Sequence, residues 1–155
     1  MEIPDNLLTF VYMWSFNNKP VSEQDLPKDS VGFIYKITNE TNGRIYVGKK
    51  LLAFNRKKKL TMKEKQLPEN KRKTFKQVTS SSGWETYWGS CKELIQDVKD
   101  LGEDCFSKQI LEFCSNKRDL TYREVWWQFK LEVLETNSYN ANILSRFFKA
   151  KNVGE

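Results

Sequence analysis

The chemistry open to this chain of 155 residues is limited first by an absence, because the sequence contains no histidine. A Ser-His-Asp triad, a Cys-His pair and a zinc site with an imidazole ligand are therefore excluded. The three cysteines, Cys91, Cys105 and Cys114, lack the CxxC spacing of a metal or redox pair, and we interpret them as reduced thiols. Catalysis would then depend on other polar groups, such as phenols, carboxylates, lysine and arginine.

Two tyrosines lie in the strongest local pattern of the sequence, VGFIYKITNETNGRIYVG at 31–48. Its first part, Val31–Thr38, is rich in β-branched and aromatic residues, and Arg44–Gly48 is a second short strand. Asn42-Gly43 between them is a preferred hairpin turn. The pattern therefore predicts an antiparallel hairpin.

The hairpin would place the two phenols together. If Asn42-Gly43 forms a two-residue turn, Thr41 pairs with Arg44, and the alternation of side chains puts Tyr35 and Tyr46 on the same face. The opposite face then carries Ile34, Ile45 and Val47.

A long helix is predicted over residues 117–135, with apolar side chains in two stripes. We interpret a helix that is apolar on two sides as enclosed between the sheet and another element. One stripe holds Leu120, Trp127, Leu131 and Leu134, and the other holds Tyr122, Val125, Trp126, Phe129 and Val133.

Glu124 is the carboxylate that this helix places beside an apolar stripe, close to Leu120 and Trp127. A carboxylate at the edge of a buried face is costly unless it is paired or bound to a metal. The alternative is a capping box formed by Thr121 and Glu124. A helix that begins near Asn116–Lys117 puts Glu124 well inside it, so we favour the metal-ligand interpretation.

Further elements follow the hairpin. Ser90 and Glu93 form a capping-box pattern that predicts a helix over Cys91–Leu101, ending at Gly102. Phe106–Cys114 suits a third strand. Three aromatic residues just before the helix favour core packing over stacking on exposed bases; they are Trp84, Tyr87 and Trp88.

The net charge of +6 is concentrated in one block at residues 56–76, which has ten basic and two acidic residues. This block has a charge of +8 and leaves −2 for the rest of the chain. Such a block is suited to DNA phosphates, and the alternative is a solvated loop. The residues proposed to bind DNA are Lys57, Lys58, Lys59, Lys71, Arg72 and Lys73.

Residues 1–30 are interpreted as an N-terminal extension whose apolar part packs on the main body, and residues 31–155 as one domain with the basic insertion at 56–76. The first residues have no basic segment typical of a secretion signal, and no apolar run approaches the length of about 20 residues that crosses a bilayer. We expect a cytoplasmic protein that does not enter membranes.

The segment Gly32-Phe33-Ile34-Tyr35, followed by Tyr46-Val47-Gly48, resembles the GIY-YIG nuclease superfamily, with Phe33 inserted after the glycine. The phrase IYKITNETNGRIYVGKK is similar to phage-encoded GIY-YIG endonucleases, including homing types. The resemblance spans about residues 31–145 and leaves out the first 30 residues. It implies a single α+β domain, with a small three-stranded antiparallel sheet flanked by helices.

The resemblance also implies roles for individual residues. Arg56, eight residues after Gly48, matches the family arginine of the following helix. Glu124 in TYREVWWQF matches the metal-binding glutamate, and Asn140 in SYNANI the asparagine near the end of the domain. Tyr35 would receive a proton from water, and Tyr46 would position the phosphate or the water.

The implied activity is a Mg²⁺-dependent DNA endonuclease acting on double-stranded DNA, with Mn²⁺ as a substitute metal. Some members of the family place a histidine in the site, and this sequence has none. Either a lysine would do the work of that histidine, with Lys49, Lys50 and the run Lys57–Lys59 as candidates, or water and metal would suffice. The rival hypotheses are a non-catalytic nucleic-acid-binding protein and a nuclease of low specificity for host-DNA degradation or restriction. The stretch of DNA that a single chain of this length contacts would be short for high sequence specificity, and a homodimer would extend it.

Overall fold

The computed structural model describes residues 13–153 and contains a five-stranded sheet of order β2-β1-β7-β3-β4. The strands are β1 (Ser15–Phe16), β2 (Lys19–Pro20), β3 (Gly32–Asn39), β4 (Ile45–Leu51), β5 (Ala53–Lys59), β6 (Phe75–Ser81), β7 (Phe106–Cys114), β8 (Asn142–Ile143) and β9 (Phe147–Phe148). The helices are α1 (Met62–Lys65), α2 (Lys92–Leu101) and α3 (Lys117–Lys130).

The prediction of a mixed fold with a sheet and helices is confirmed, but the three-stranded antiparallel sheet is wrong in its extent. Two short strands from the N-terminal segment extend it, and β1 pairs with β7 in parallel. Trp14, just before β1, is buried with its indole nitrogen donating to the Trp84 carbonyl at 2.7 Å. The apolar residues of the predicted extension that precede Met13 lie outside the described residues.

The β3–β4 hairpin has a longer turn than predicted. Asn39 pairs with Arg44, because the Asn39 amide donates to the Arg44 carbonyl at 2.8 Å and the Gly43 amide donates to the Asn39 carbonyl at 2.7 Å. Thr41 therefore lies in the loop and does not pair with Arg44. The register is displaced by two positions, which leaves every side chain on its predicted face.

Two hydrophobic cores cover the two faces of the sheet. The first lies beneath the N-terminal segment and α2, and its buried members include Trp14, Phe33, Tyr35, Ile37, Trp84, Leu94 and Ile110. The second lies beneath α3, and its buried members are Ile34, Val47, Cys114, Leu120, Val133 and Ile143. Sheet and helices thus form three layers, with β4 at the open edge of the sheet.

The helix α3 differs from its prediction at one end and on one side. It ends at Lys130 rather than at residue 135, and Glu132 follows in a left-handed conformation with φ 54°. The stripe of Leu120 and Trp127 packs on the sheet, but the second stripe is not enclosed by another element, so the prediction of a helix enclosed on both sides is wrong. Tyr122 is 63% exposed and Phe129 is 50% exposed.

Helix α2 begins one residue later than predicted, without the predicted capping box. Cys91 is the N-cap and makes no side-chain cap bond, while Gly102 ends the helix with φ 95°. The Glu93 carboxylate instead accepts from the Arg44 guanidinium at 2.7 Å. Within residues 13–153, no helix has the length and the apolar composition of a membrane-spanning segment.

Candidate active site

The phenols of Tyr35 and Tyr46 lie on the same face of the hairpin, with ring centroids 6.1 Å apart. Tyr35 is 1% exposed and packs against Trp14 at 5.2 Å, while Tyr46 is half-buried and reaches the Ser90 hydroxyl at 3.2 Å. Burial raises the pKa of Tyr35 well above its ordinary value, and burial also raises the pKa of Tyr46. Both side chains are therefore neutral phenols at neutral pH.

Gly48 lies directly opposite Tyr35 in the β3–β4 ladder. A β-carbon at this position would lie 2.5 Å from the Tyr35 hydroxyl oxygen and 2.7 Å from its Cζ. The missing side chain therefore makes room for a phenol of the protein itself.

Glu124 lies in the middle of α3, so the alternative of a capping box formed by Thr121 and Glu124 is wrong. The N-cap is Asn116, whose side chain accepts from the Asp119 amide, so α3 begins well before Thr121. The Glu124 side chain is 19% exposed, and its carboxylate lies 3.9 Å from the Lys49 ammonium. Burial raises the pKa of Glu124, and the charge of Lys49 opposes this rise.

Lys49 and Lys50 are consecutive on β4 and point to opposite sides of the sheet edge. The Lys49 ammonium donates to the Thr121 hydroxyl at 2.8 Å on the side of α3. The Lys50 ammonium lies 4.1 Å from the ring centroid of Tyr87 on the side of Tyr35. Burial lowers the pKa of Lys50, which makes its neutral amine more accessible than that of an exposed lysine.

A groove of about 370 Å³ runs along the β4 edge. Its polar lining includes Tyr46, Ser90, Glu124, Gln128 and Asn140. These side chains come from β4, α3 and the segments before α2 and β8. Folding thus brings a phenol, a carboxylate and several amide and hydroxyl groups around one open space.

Asn140 holds β4 in place from the far side of this groove. Its side chain accepts from the Val47 amide at 3.0 Å and donates to the Val47 carbonyl at 2.8 Å. The Gln128 side chain donates to the same carbonyl at 3.1 Å. An edge strand has unpaired backbone groups, and these two side chains satisfy those of Val47. Asn140 thereby fixes the strand positions of Tyr46 and Gly48.

Three residues of the site were not among the predicted functional residues. Gln128 follows Glu124 by four positions, which places both on one helix face and could have been read from the spacing. Tyr87 packs edge-on against Tyr35 at 6.0 Å, and Ser90 contacts Tyr46. Both come from the segment before α2, and no local pattern in the sequence indicates that it folds over the hairpin.

Arg56 is not brought to this groove. The prediction that it lies on a helix is wrong, because it lies on β5 opposite Val78. Arg56 lines a different cavity, together with Ser30 and Lys117. Its exposed position makes it part of the basic surface of the chain.

The basic block forms a projecting antiparallel ribbon, which we did not predict. Strands β5 and β6 form a two-stranded sheet of their own, and α1 lies between them. Lys57, Lys58 and Lys59 are on β5, while Lys71, Arg72 and Lys73 lie in the turn before β6. All six side chains are exposed.

The donor set around Glu124 is suited to Mg²⁺. Among residues 13–153, no three His, Cys, Asp or Glu residues cluster as a closed metal site. Mg²⁺ keeps several waters and is commonly bound through one or two carboxylates plus substrate phosphates. The half-buried carboxylate of Glu124, beside an open groove, fits that requirement.

The family model described as "Putative endonuclease segE, GIY-YIG domain" matches residues 14–145. The match begins ahead of residue 31, where our sequence-based resemblance began, and so includes Trp14 and strand β1. No curated protein and no solved structure matches the chain.

Proposed function

The chain belongs to the GIY-YIG family, with a segE-type endonuclease domain, and on this premise we propose that it is a metal-dependent endonuclease that hydrolyses phosphodiester bonds of double-stranded DNA. The observation that carries the proposal is the convergence of Tyr46 and Glu124 on one groove, with the ring of Tyr35 6.1 Å from that of Tyr46. A non-catalytic binding protein has no need of a half-buried carboxylate at that position.

In the proposed reaction, the oxygen of a water molecule bonds to phosphorus as the bond to the 3′ oxygen breaks. The water loses a proton, and the departing oxygen takes one from solvent. When bound, Mg²⁺ would supply polarisation of the phosphate and stabilisation of the leaving oxygen. Glu124 would hold the ion, and Lys49 beside it offsets the cost of keeping that carboxylate ionised.

We assign the final proton acceptor to Lys50 rather than to Tyr35. Burial disfavours the phenolate of Tyr35, whereas it favours the neutral amine of Lys50. Tyr87 contacts both residues, with its ring 4.1 Å from the Lys50 ammonium and 6.0 Å from the ring of Tyr35. Tyr35 then orients the water, and Tyr46 positions the water or the phosphate.

The basic block supplies affinity for the DNA backbone. Exposed cations on and beside β5 can neutralise phosphates and release counterions, which gives binding a steep dependence on salt. Phosphate contacts of this kind position a protein without specifying sequence. A homing role requires base recognition in addition, and we propose it as the biological role of the enzyme.

The experiment that tests the activity is cleavage of supercoiled plasmid with Mg²⁺, with Mn²⁺ and with EDTA. We expect conversion to nicked or linear DNA with either metal, none with EDTA, and none by the Glu124→Ala variant. Mg²⁺ should also raise the Tm of the wild-type protein more than that of Glu124→Ala, since ligands stabilise the state that binds them. Intact plasmid in every lane would instead indicate a non-catalytic binding protein.

A further inference from the structure

The ribbon of β5 and β6 has the shape of an element that enters a DNA groove. Seven consecutive residue pairs join the strands, from Ala53 opposite Ser81 to Lys59 opposite Phe75. At about 3.4 Å per residue the ribbon is roughly 24 Å long. All of its residues are exposed except Phe54 and Lys76, which are half-buried. The major groove, about 12 Å wide, admits a two-stranded β-ribbon.

The two faces of the ribbon differ in chemistry, because residues directly opposite each other share a face. We call them the Arg56 face and the Lys57 face. The Arg56 face carries Phe54, Arg56, Lys58, Lys76, Val78 and Ser80, and the Lys57 face carries Asn55, Lys57, Lys59, Phe75, Gln77 and Thr79.

The Arg56 face continues from the catalytic groups. Phe54, at the base of this face, lies 5.3 Å from the Lys50 ammonium, and the same ammonium lies over Tyr87. DNA held with its scissile phosphate at the β4 edge therefore runs beside the Arg56 face. At the same level of the Lys57 face, the Thr79 hydroxyl donates to the Asn55 side chain at 2.8 Å, so these two groups bond to each other.

Both faces hold cations that are open to a ligand. Within residues 13–153, no salt bridge involves Arg56 or Lys58 on one face, or Lys57 or Lys59 on the other. What distinguishes the Arg56 face is that it carries the one arginine of the two strands. Val78 lies opposite Arg56 and is 36% exposed. An apolar side chain that is exposed between cations is stabilised when it leaves water and packs against a thymine methyl group.

Building on the proposed nuclease function, we propose that the ribbon lies in the major groove beside the scissile phosphate with its Arg56 face against the bases. Arg56 reads a guanine through its forked donors, and Val78 contacts the methyl group of a thymine. Lys58 contacts a phosphate. Arg56 is thus a specificity-determining residue, outside the group of side chains that touch the reacting phosphorus.

Two double variants of equal charge test which face meets DNA. Arg56→Ala/Lys58→Ala and Lys57→Ala/Lys59→Ala each remove two cations from the same strand. Duplex binding is measured across salt concentrations without divalent metal, so that no cleavage occurs. We expect the log–log salt slope to fall by about 0.9 for the first pair, because Lys58 makes one phosphate contact, and by less than half of that for the second. Equal losses would overturn the assignment of the face.

The conservative variant Arg56→Lys tests whether Arg56 recognises a base, because it keeps the positive charge and loses the forked donors of the guanidinium group. Duplexes bound from a random-sequence pool, again without metal, are sequenced for both proteins. We expect the wild type to enrich a guanine that Arg56→Lys enriches roughly 5- to 150-fold less, with nearly the same salt slope. Identical preferences, or none in the wild type, would overturn the reading role. Both assays measure binding alone, so a failed plasmid assay would count against the nuclease function and not against this inference.

Discussion

Substituting alanine for Gly48 adds a methyl group where the Tyr35 phenol lies. The new carbon would be 2.5 Å from the hydroxyl oxygen, 2.7 Å from Cζ and 3.2 Å from Cε1. Tyr35 has little room to withdraw, because its ring packs against Trp14 at 5.2 Å and against Tyr87 at 6.0 Å. The added methyl group must therefore displace the phenol, β4 or both.

The cost can be estimated from that geometry. Overpacking a well-packed core by one methyl group costs about 1–3 kcal/mol. In a chain of this size, each kcal/mol lowers Tm by roughly 2–4 °C. A catalytic group displaced by about 1 Å can lose roughly 10²-fold in rate. We therefore expect Gly48→Ala to lose several degrees of Tm and about two orders of magnitude in single-turnover cleavage.

The assay combines thermal unfolding with plasmid cleavage well below Tm. A double-mutant cycle with Tyr35→Phe isolates the contact: removing the hydroxyl removes the closest clash, so Gly48→Ala should destabilise Tyr35→Phe less than it destabilises the wild type. Gly32→Ala is the matched control, since its β-carbon meets the Lys50 carbonyl at 2.6 Å and Leu120 at 2.8 Å but not Tyr35. Its loss of stability should be the same in the wild type and in Tyr35→Phe, because the clash does not involve the Tyr35 hydroxyl. A Gly48→Ala protein as stable and as active as wild type would refute the packing argument.

Three further predictions follow from burial. Because burial lowers the pKa of Lys50, cleavage should rise with pH below the ordinary lysine pKa of about 10.4. Lys50→Arg, which stays charged, should flatten a single-turnover pH–rate profile, and a flat wild-type profile would contradict this role. Burial lowers the pKa of Lys108 to about 8 from 10.5, so the folded state penalises its charged form, and urea unfolding should show stability increasing with pH between those values. Lys108→Met should remove that increase, and an unchanged increase would assign it to other groups. Leu120→Ala should cost about 2–5 kcal/mol in urea unfolding because Leu120 is 2% exposed, while Phe129→Ala, on the exposed stripe, should cost about 1 kcal/mol or less; equal costs would show that the exposed stripe is covered.

The hairpin shows what the sequence could predict. The strand segments follow from β-branched and aromatic residues, and the shared face of Tyr35 and Tyr46 follows from alternation alone. The predicted two-residue turn was wrong, because the Asn39 side chain accepts from the Thr41 amide at 3.0 Å and so stabilises a longer loop. An even displacement of register leaves the faces unchanged, which is why the site survived the error.

The helix ends show where tertiary contacts override local patterns. Ser90 and Glu93 match a capping box, but Ser90 contacts Tyr46 and Glu93 pairs with Arg44. In α3, the helical spacing grouped Val133 with the exposed stripe. The helix ends at Lys130, so Val133 no longer follows that spacing and is buried in the second core.

The ribbon could not be read from the sequence, because strands exposed on both faces carry no hydrophobic alternation. The offset of Arg56 from Gly48 fitted a helix, and only the pairing of β5 with β6 places it on a strand. The groove was predictable in part: Glu124 follows from its cost beside an apolar stripe, whereas Tyr87 and Ser90 reach the site through the path of the chain before α2.

In the proposed reaction, Glu124 holds the metal ion beside the phosphodiester bound in the groove at the β4 edge. The most direct test compares the wild type with Glu124→Gln in DNA binding without metal and in single-turnover plasmid cleavage with Mg²⁺ at equal DNA occupancy. The predicted result is similar DNA affinity and cleavage at least about 10²-fold slower. Equal cleavage rates, or a loss that follows entirely from weaker DNA binding, would contradict the claim.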